Sequence, residues 1–265
     1  MAKVLPINLP ITGSFGAYSV YNIKGIDKRI IRRKGGATKE KFLRDPGMKG
    51  SRESAKIFTG NAKAGKMIRH AIHNVKHLAH SYLSSELVGV CKTIMAMDLP
   101  KPENGMQSIV FSKGIHLLQG YNLNKEKVFD SIVSTPVLFD TDRDLHKVIV
   151  RLPQLIPGKN FKNAWDQPFF RFKLSLGIIR DMIFDGHEYV PITPDVQEYS
   201  VSADSDWTSV KDGFAGQTME LKIEDPVFDE HCHLVLAIGI EFGSPLRGGI
   251  SAVKDAGCAK ILDVF

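Results

Sequence analysis

From residue 105 onward, apolar and polar positions tend to alternate with a period of two. Phe170, Phe172, Leu174 and Leu176 are interleaved with Arg171, Lys173 and Ser175, the pattern of a strand with one face on a core and the other in water. Residues 178–183 and 187–192 flank Phe184-Asp185-Gly186, and Asp-Gly predicts a hairpin closed by a type I′ turn. Val148 and Val150, together with residues 219–223, 234–242 and 259–265, supply further strands. Several strands separated by turn signals predict an antiparallel β-sandwich over residues 105–265.

Before residue 105 the grain is different. Thr12-Gly13-Ser14-Phe15-Gly16 is turn-rich, and the apolar and aromatic run from Tyr18 through Val20 and Tyr21 to Ile23 is followed by Gly25 and Ile30-Ile31. Two short β-prone pieces around a glycine predict a hairpin, its second arm stopped at Arg32-Arg33-Lys34-Gly35-Gly36. Asp45-Pro46 opens a helix, because an Asp side chain accepts orphan N–H groups at the N-cap and proline at the first position has no N–H to lose. The helical pattern then runs to about residue 89. Gly60 and Gly65 each weaken it by roughly 1 kcal/mol relative to alanine, which predicts two helices or one with a soft joint. Residues 85–97 extend the helical region to the loop Pro100-Lys101-Pro102-Glu103-Asn104-Gly105. The expected fold class is α+β in two parts: a basic hairpin and helical region over 1–104, and a β-sandwich domain over 105–265.

With 265 residues, 43% hydrophobic and 24% charged, the chain has ordinary globular composition, not that of a disordered, collagenous or membrane protein. Its longest apolar run, residues 234–240, is far short of the ~18 residues of a membrane span. Pro6 and Pro10 interrupt the start before an apolar signal segment forms, so a cytoplasmic address is expected. Cys91, Cys232 and Cys258 are odd in number and lack CxxC spacing, which points to part-buried thiols rather than a disulfide framework or zinc ribbon.

Charge is distributed unevenly. Residues 1–80 hold 17 basic and 4 acidic side chains, a balance of +13, while residues 81–265 hold 18 and 25, a balance of −7; the sum is the chain's +6. A strongly basic segment attached to an acidic body is a statement about partners.

Four constellations carry possible chemistry. Gly60-Asn61-Ala62-Lys63-Ala64-Gly65-Lys66-Met67 matches the phosphate-binding GxxxxGK[ST] pattern except at its end, where a methionine replaces the Mg²⁺-ligating hydroxyl. It also sits in a helical stretch rather than after a buried strand; Val137-Leu138-Phe139-Asp140 is the matching strand candidate. His70, His73, His77 and His80, at intervals of three, four and three, fall within roughly 80° on a helix wheel of about 100° per residue. Such a stripe reads as a metal site, as an anion-binding face or as a solvated face. His231-Cys232-His233 places two imidazoles on one side of a strand, as an edge leading into the run from Leu234 or as the start of a metal site. Such a site needs a third ligand that the sequence does not locate, Cys258 and His187 being two residues that could serve. Finally, the cations of residues 24–69, interleaved with Phe42 and Phe58, suit a phosphate backbone or acidic patches such as Asp140-Thr141-Asp142-Arg143-Asp144, residues 195–206 and Glu224-Asp225. No GxSxG, HExxH or strand-borne GxGxxG is present, and no helix-turn-helix or zinc-finger spacing offers base-specific readout.

The run Gly13-Ser14-Phe15-Gly16, Tyr21, Gly25, Arg32-Arg33-Lys34-Gly35-Gly36, Lys39-Glu40, Asp45-Pro46, Ser51-Arg52-Glu53 and Ala64-Gly65-Lys66, with Leu236-Ala237-Ile238-Gly239-Ile240-Glu241-Phe242 near the end, resembles an uncharacterised bacterial protein family. Its members share a Gly-rich N-terminal hairpin, a KGG turn, a DP-capped helix and a late GIEF strand. The resemblance implies no activity, cofactor or catalytic residue. It implies that Gly65-Lys66 is helical and that a site built on the four histidines is peculiar to this chain.

The sequence therefore predicts a non-enzymatic interaction protein without a cofactor. It docks onto acidic surfaces, foremost those of further copies of itself, through Lys24, Arg29, Arg32, Arg33, Lys34, Arg44, Arg52, Lys63, Lys66, Arg69, His70, His73, His77 and His80. Nonspecific nucleic-acid binding through the same cations is the alternative; a degenerate P-loop or metal-dependent enzyme is the second.

Overall fold

Helices and antiparallel strands make up the computed structural model, which describes residues 3–4, 12–23, 29–103, 105–193, 199–224 and 226–265. Pro6, Pro10, Lys24, Gly25, Asn104, Asp195 and Asp225 lie outside the described residues. The chain divides into a unit of residues 1–54 and a unit of residues 55–265, so the loop around residue 100 falls inside the second.

In the first unit, β1 (Lys3–Val4), β2 (Gly13–Phe15), β3 (Tyr18–Tyr21) and β4 (Ile30–Arg33) form one antiparallel sheet in the order β1-β4-β3-β2. The expected pairing of the Tyr18 and Ile30 segments is present, and a tighter hairpin precedes it, turning at Gly16 with φ +52°. Thr38 caps α1 (Lys39–Arg44) by accepting from the Lys41 N–H. Asp45 accepts from the Gly47 N–H at 2.8 Å and caps a short 3₁₀ turn, Pro46–Met48, that leads into α2 (Lys49–Ala71).

The expected joint at Gly60 and Gly65 is absent: α2 is one unbroken helix of 23 residues. Both glycines are buried at close contacts. A Cβ on Gly60 would come within 2.4 Å of the Tyr189 ring, and one on Gly65 within 3.4 Å of the Val88 backbone nitrogen. Packing outweighs the helix penalty of glycine, so the P-loop-like residues 60–67 form helix and not a phosphate-cradling loop. The break comes later, at residues 72–82, where Val75 and Leu78 donate to the carbonyls of Ile72 and Val75 in tight turns. After it comes α3 (Leu83–Ala96) and then a short α4 (Phe129–Ile132). Among the described residues no helix is long and apolar enough to cross a membrane.

The strands that follow are β5 (Leu138–Asp142), β6 (Lys147–Leu152), β7 (Phe169–Arg180), β8 (Met182–Phe184), β9 (Tyr189–Pro191), β10 (Ser200–Asp204), β11 (Thr208–Ser209), β12 (Gln217–Lys222), β13 (Cys232–Leu246) and β14 (Gly249–Val264). The main sheet has the order β10-β7-β13-β14, with β11 also on β7; β12-β6-β5 and β8-β9 are separate antiparallel sheets, and among the described residues none closes into a barrel. The β8–β9 hairpin pairs Phe184 with Tyr189, so its loop has four residues rather than a two-residue type I′ turn. Asp185 organises it by accepting from the His187 and Glu188 N–H groups.

Strand β7 departs from the half-buried expectation, because both of its faces are covered. Phe170, Phe172, Leu174 and Leu176 share an apolar core with Leu234, Leu236 and Ile238 of β13 and with Val148, Val150 and Leu221 of the three-stranded sheet. On the other face, Val235, Ala237, Ala259 and Ile261 pack with Ala64, Ile68, Ala71, Ile72, Val75 and Leu78, and with Leu87, Cys91 and Ile94 of α3. Glycines make that approach possible. A Cβ on Gly177 would lie 2.4 Å from the Ala71 Cα, and Cβ atoms on Gly239 or Gly257 would lie 2.6 Å from Leu78 methyls.

Gly177→Ala is therefore expected to destabilise by about 1–3 kcal/mol through overpacking against backbone, lowering Tm by several degrees in thermal denaturation. Gly89→Ala, on an exposed helical position with nothing within 4 Å of the new methyl, is expected to leave Tm unchanged or raise it. Equal effects at the two positions would refute the glycine-seat account.

Candidate functional site

The end of α2 and the start of α3 enclose an open cleft of about 390 Å³ in the second unit. Its formation follows from the helix break. Ile72, Val75 and Leu78 are drawn onto the sheet, which turns the polar residues between and beside them outward. Lys66, Arg69 and His70 come from the last turns of α2, Lys76 and His80 from the connection, and the hydroxyl residues Ser81 and Ser84 from the entry to α3. Among the described residues no carboxylate lines the cleft.

Several of these side chains are held in place. The Arg69 guanidinium donates to the Ser84 hydroxyl. The His80 Nδ1 lies 2.8 Å from the Leu123 carbonyl and its Nε2 3.2 Å from Glu86 Oε1. With an acceptor at each nitrogen, the ring donates to both in its protonated form. Glu86 stands behind the cleft. Burial would raise its pKa, but hydrogen bonds from Lys125 at 2.6 Å, Tyr121 at 2.9 Å and His80 hold it below the ordinary carboxylate value.

The four histidines do not form the expected helical stripe, because α2 ends at Ala71. His70 and His80 line the cleft, whereas His73 and His77 reach toward the strands. His73 Nδ1 is 2.6 Å from the Ser200 hydroxyl; burial, then the nearby Lys76, His70 and Lys173 charges, lower its pKa and favour the neutral ring. His77 Nε2 lies 2.6 Å from Glu241 Oε1.

Glu241 belongs to a polar network on the helix-facing side of the sheet, where the sequence pattern placed solvent. Arg171 donates to Glu241 Oε2 from Nη2 at 2.7 Å and from Nε at 2.8 Å, and its guanidinium lies over the Trp207 ring at 4.5 Å. Lys173, itself buried, pairs with Asp204 at 2.7 Å, and the Asn74 amide bridges from the connection to Asp204 at 2.7 Å and to the Leu174 carbonyl at 2.9 Å. Burial alone would raise the pKa of Glu241, but His77, Arg171 and the Lys173 charge together bring it down to about 2. The signal for this network was present in the sequence: a lone acid inside the apolar run 234–242 requires a cation, and β7 offers two at alternate positions.

His233 lies on β13, between β7 and β14 rather than at an edge, and His231 lies in the turn just before that strand. Both face Asp181: His233 Nε2 is 3.1 Å from Oδ1 and His231 Nδ1 is 3.6 Å from Oδ2, while the Phe111 N–H donates to the same carboxylate at 2.7 Å. The acidic partner is thus Asp181, and neither Cys258 nor His187 takes that place. Among the described residues no cluster of three or more His, Cys, Asp or Glu has metal-binding geometry. The three cysteines are fully buried, and burial pushes the Cys91 and Cys258 thiols up to about 12, which makes them unreactive.

The other basic positions scatter. Lys63 pairs with Glu188 and donates to the Tyr189 carbonyl at 2.9 Å. Arg52 donates to the Phe42 and Asp45 carbonyls, Arg44 lies 3.3 Å from Glu40, and Arg29 donates to Asn22. Arg32, Arg33 and Lys34 are exposed on the N-terminal sheet, with Arg32 over the Tyr21 ring at 5.7 Å. Of the predicted surface, Lys66, Arg69, His70 and His80 come together; Lys76, Ser81 and Ser84 complete the cleft.

The pKa of Glu241 is lower in the folded chain than in the unfolded one. Its contribution to stability is therefore complete above about pH 4.5 and is lost as pH falls toward 2. Glu241→Gln is expected to remove up to about 3 kcal/mol at pH 7, with the difference from the native protein shrinking below pH ~4 in denaturant titrations. A pH-independent difference would show that the carboxylate's charge is not what stabilises the network.

Compared with protein-family models, with curated proteins and with solved structures, the chain matches none, so the resemblance drawn from its glycine-rich start and late GIEF strand brings no residue role to this cleft.

Proposed function

We propose that the protein is a non-enzymatic binder of phosphate-bearing polymers, nucleic acid without sequence preference, held by the cleft between α2 and α3. The observation that carries this reading is the convergence of Lys66, Arg69, His70, Lys76 and His80 on one open cleft lined by no carboxylate among the described residues. Its volume of about 390 Å³ lies in the lower part of the ~300–1,000 Å³ range of ligand pockets. Cations and hydroxyls suit a phosphodiester, and release of condensed counterions supplies the affinity.

Docking of copies onto one another through the same cations has less support. Asp140, Glu220 and Glu224, on the acidic side, pair with Arg151, Lys147 and Lys222 of their own unit. The same reading takes the main sheet and the three-stranded sheet, which share an apolar core, as two layers of a β-sandwich that carries the cleft-forming helices on its other side.

Filter binding of an oligonucleotide over a salt series tests the proposal. Affinity is expected to fall linearly on logarithmic axes, with ~0.7–0.9 of slope for each phosphate neutralised. Arg69→Ala with Lys76→Ala is expected to reduce that slope by about 1–2 at unchanged Tm. Salt-independent binding, or a double variant with native affinity and slope, would overturn the assignment; growth in particle size at low salt without oligonucleotide binding would favour self-docking instead.

A further inference from the structure

The N-terminal sheet carries a surface that the cleft does not explain. The β2–β3 pairing sets Phe15 opposite Tyr18, and the β3–β4 pairing sets Tyr18 opposite Arg33. Residues directly opposite in antiparallel strands share a face, with Cβ atoms about 4.5–5.5 Å apart, so Phe15, Tyr18 and Arg33 form one row across three strands. Both rings are about half exposed, at 49% and 50%, although aromatic side chains of this size normally find cover. The row rests on a buried base: Val20 lies on the same face two residues along β3, and the Phe15 ring extends over Gly13.

The chemistry around the row selects its occupant. Residues 1–54 hold 12 basic and 4 acidic side chains, a balance of +8, and none of the residues in β1 to β4 is acidic. Arg33 is exposed within the row, while Arg32, next to it in the chain, lies on the opposite face over the Tyr21 ring. Flat, exposed rings in a row with a guanidinium group, in a positive field, suit stacked bases joined by phosphates. An isolated apolar patch would call for an apolar partner, whereas here Tyr18 has Arg33 directly opposite on the neighbouring strand and Phe15 adjoins Tyr18 in the same row. Duplex DNA keeps its base faces covered, so stacking of this kind requires a single strand.

We propose that Phe15, Tyr18 and Arg33 form a base-stacking platform for single-stranded nucleic acid. This inference rests on nucleic acid being the partner proposed above, but on residues separate from the cleft. The platform supplies preference for single strands, and the cleft supplies strand-independent phosphate affinity.

The test compares native protein with Phe15→Ala/Tyr18→Ala and with Arg69→Ala/Lys76→Ala, titrated with an oligothymidylate of about 20 nucleotides and with its duplex. The platform variant is expected to lose at least about 10-fold in single-strand affinity with duplex affinity changed less than about 2-fold. The cleft variant is expected to lose affinity for both. Tyr18→Trp is expected to retain single-strand binding, and its added fluorescence to be quenched by the oligothymidylate, a readout that a purely structural role for Tyr18 would not move. Native single-strand affinity in the platform variant, or absence of quenching, overturns the platform while leaving the cleft standing. Loss confined to the platform variant, with the cleft variant native, overturns the cleft and leaves the platform. A change in particle size in place of a change in affinity makes the row a contact between copies and also overturns the proposal.

Discussion

The second unit depends on how closely the segment from Ala71 to Leu78 can approach the main sheet. Gly177, Gly239 and Gly257 leave no room for a Cβ beneath that segment, and van der Waals contact at such distances is lost steeply with any added atom. Because the chain seats there, α2 must stop, its apolar residues must turn inward, and its basic residues must turn out around the cleft. The same seat covers the polar side of β7 and β13. Arg171, Lys173 and Glu241 are then withdrawn from water and must satisfy one another, which they do through Asp204, Asn74 and His77. Cleft, network and helix break are three consequences of one packing constraint.

Local signals carried much of the fold. The alternation around Phe170 marked a strand, the Asp45-Pro46 pair marked a helix entry, and Asp185-Gly186 marked a hairpin; the chain forms an element near each. Where the reading departed from the structure, a distant partner decided. Gly60 and Gly65 looked like a joint because their penalty is local, while Tyr189 and α3, which compensate for it, are remote in sequence. The polar residues of β7 looked solvated because period two reports that two faces differ, not that the polar one meets water. The histidine stripe assumed a helix continuing past Ala71, and the seat on the sheet ended it.

The candidate site was legible in part for the same reason. Lys66, Arg69 and His70 share the last turns of α2, and a helix wheel places them together. Lys76, Ser81 and Ser84 join them through a change of chain direction that no periodicity encodes. The charge imbalance marked the region where the cleft's cations lie but not its internal order: Lys63 and Arg52 bond to neighbouring carbonyls within the chain, and Arg44 lies beside Glu40 on the surface. The Asp181 pair with His231 and His233 shows the converse, since imidazoles two residues apart were visible while their acid, about fifty residues earlier, was not.

The connection between α2 and α3 has two sides with opposite duties. Asn74 is tied to Asp204 and His77 to the buried Glu241 on the sheet, while Lys76, between them in the chain, and His80 line the cleft. A ligand in the cleft therefore meets side chains whose backbone is already fixed by the core, so little chain entropy is surrendered on binding. The cleft is in this sense preorganised by the core beneath it. Repositioning Lys76 would require breaking the Asn74–Asp204 and His77–Glu241 contacts on either side of it in the chain.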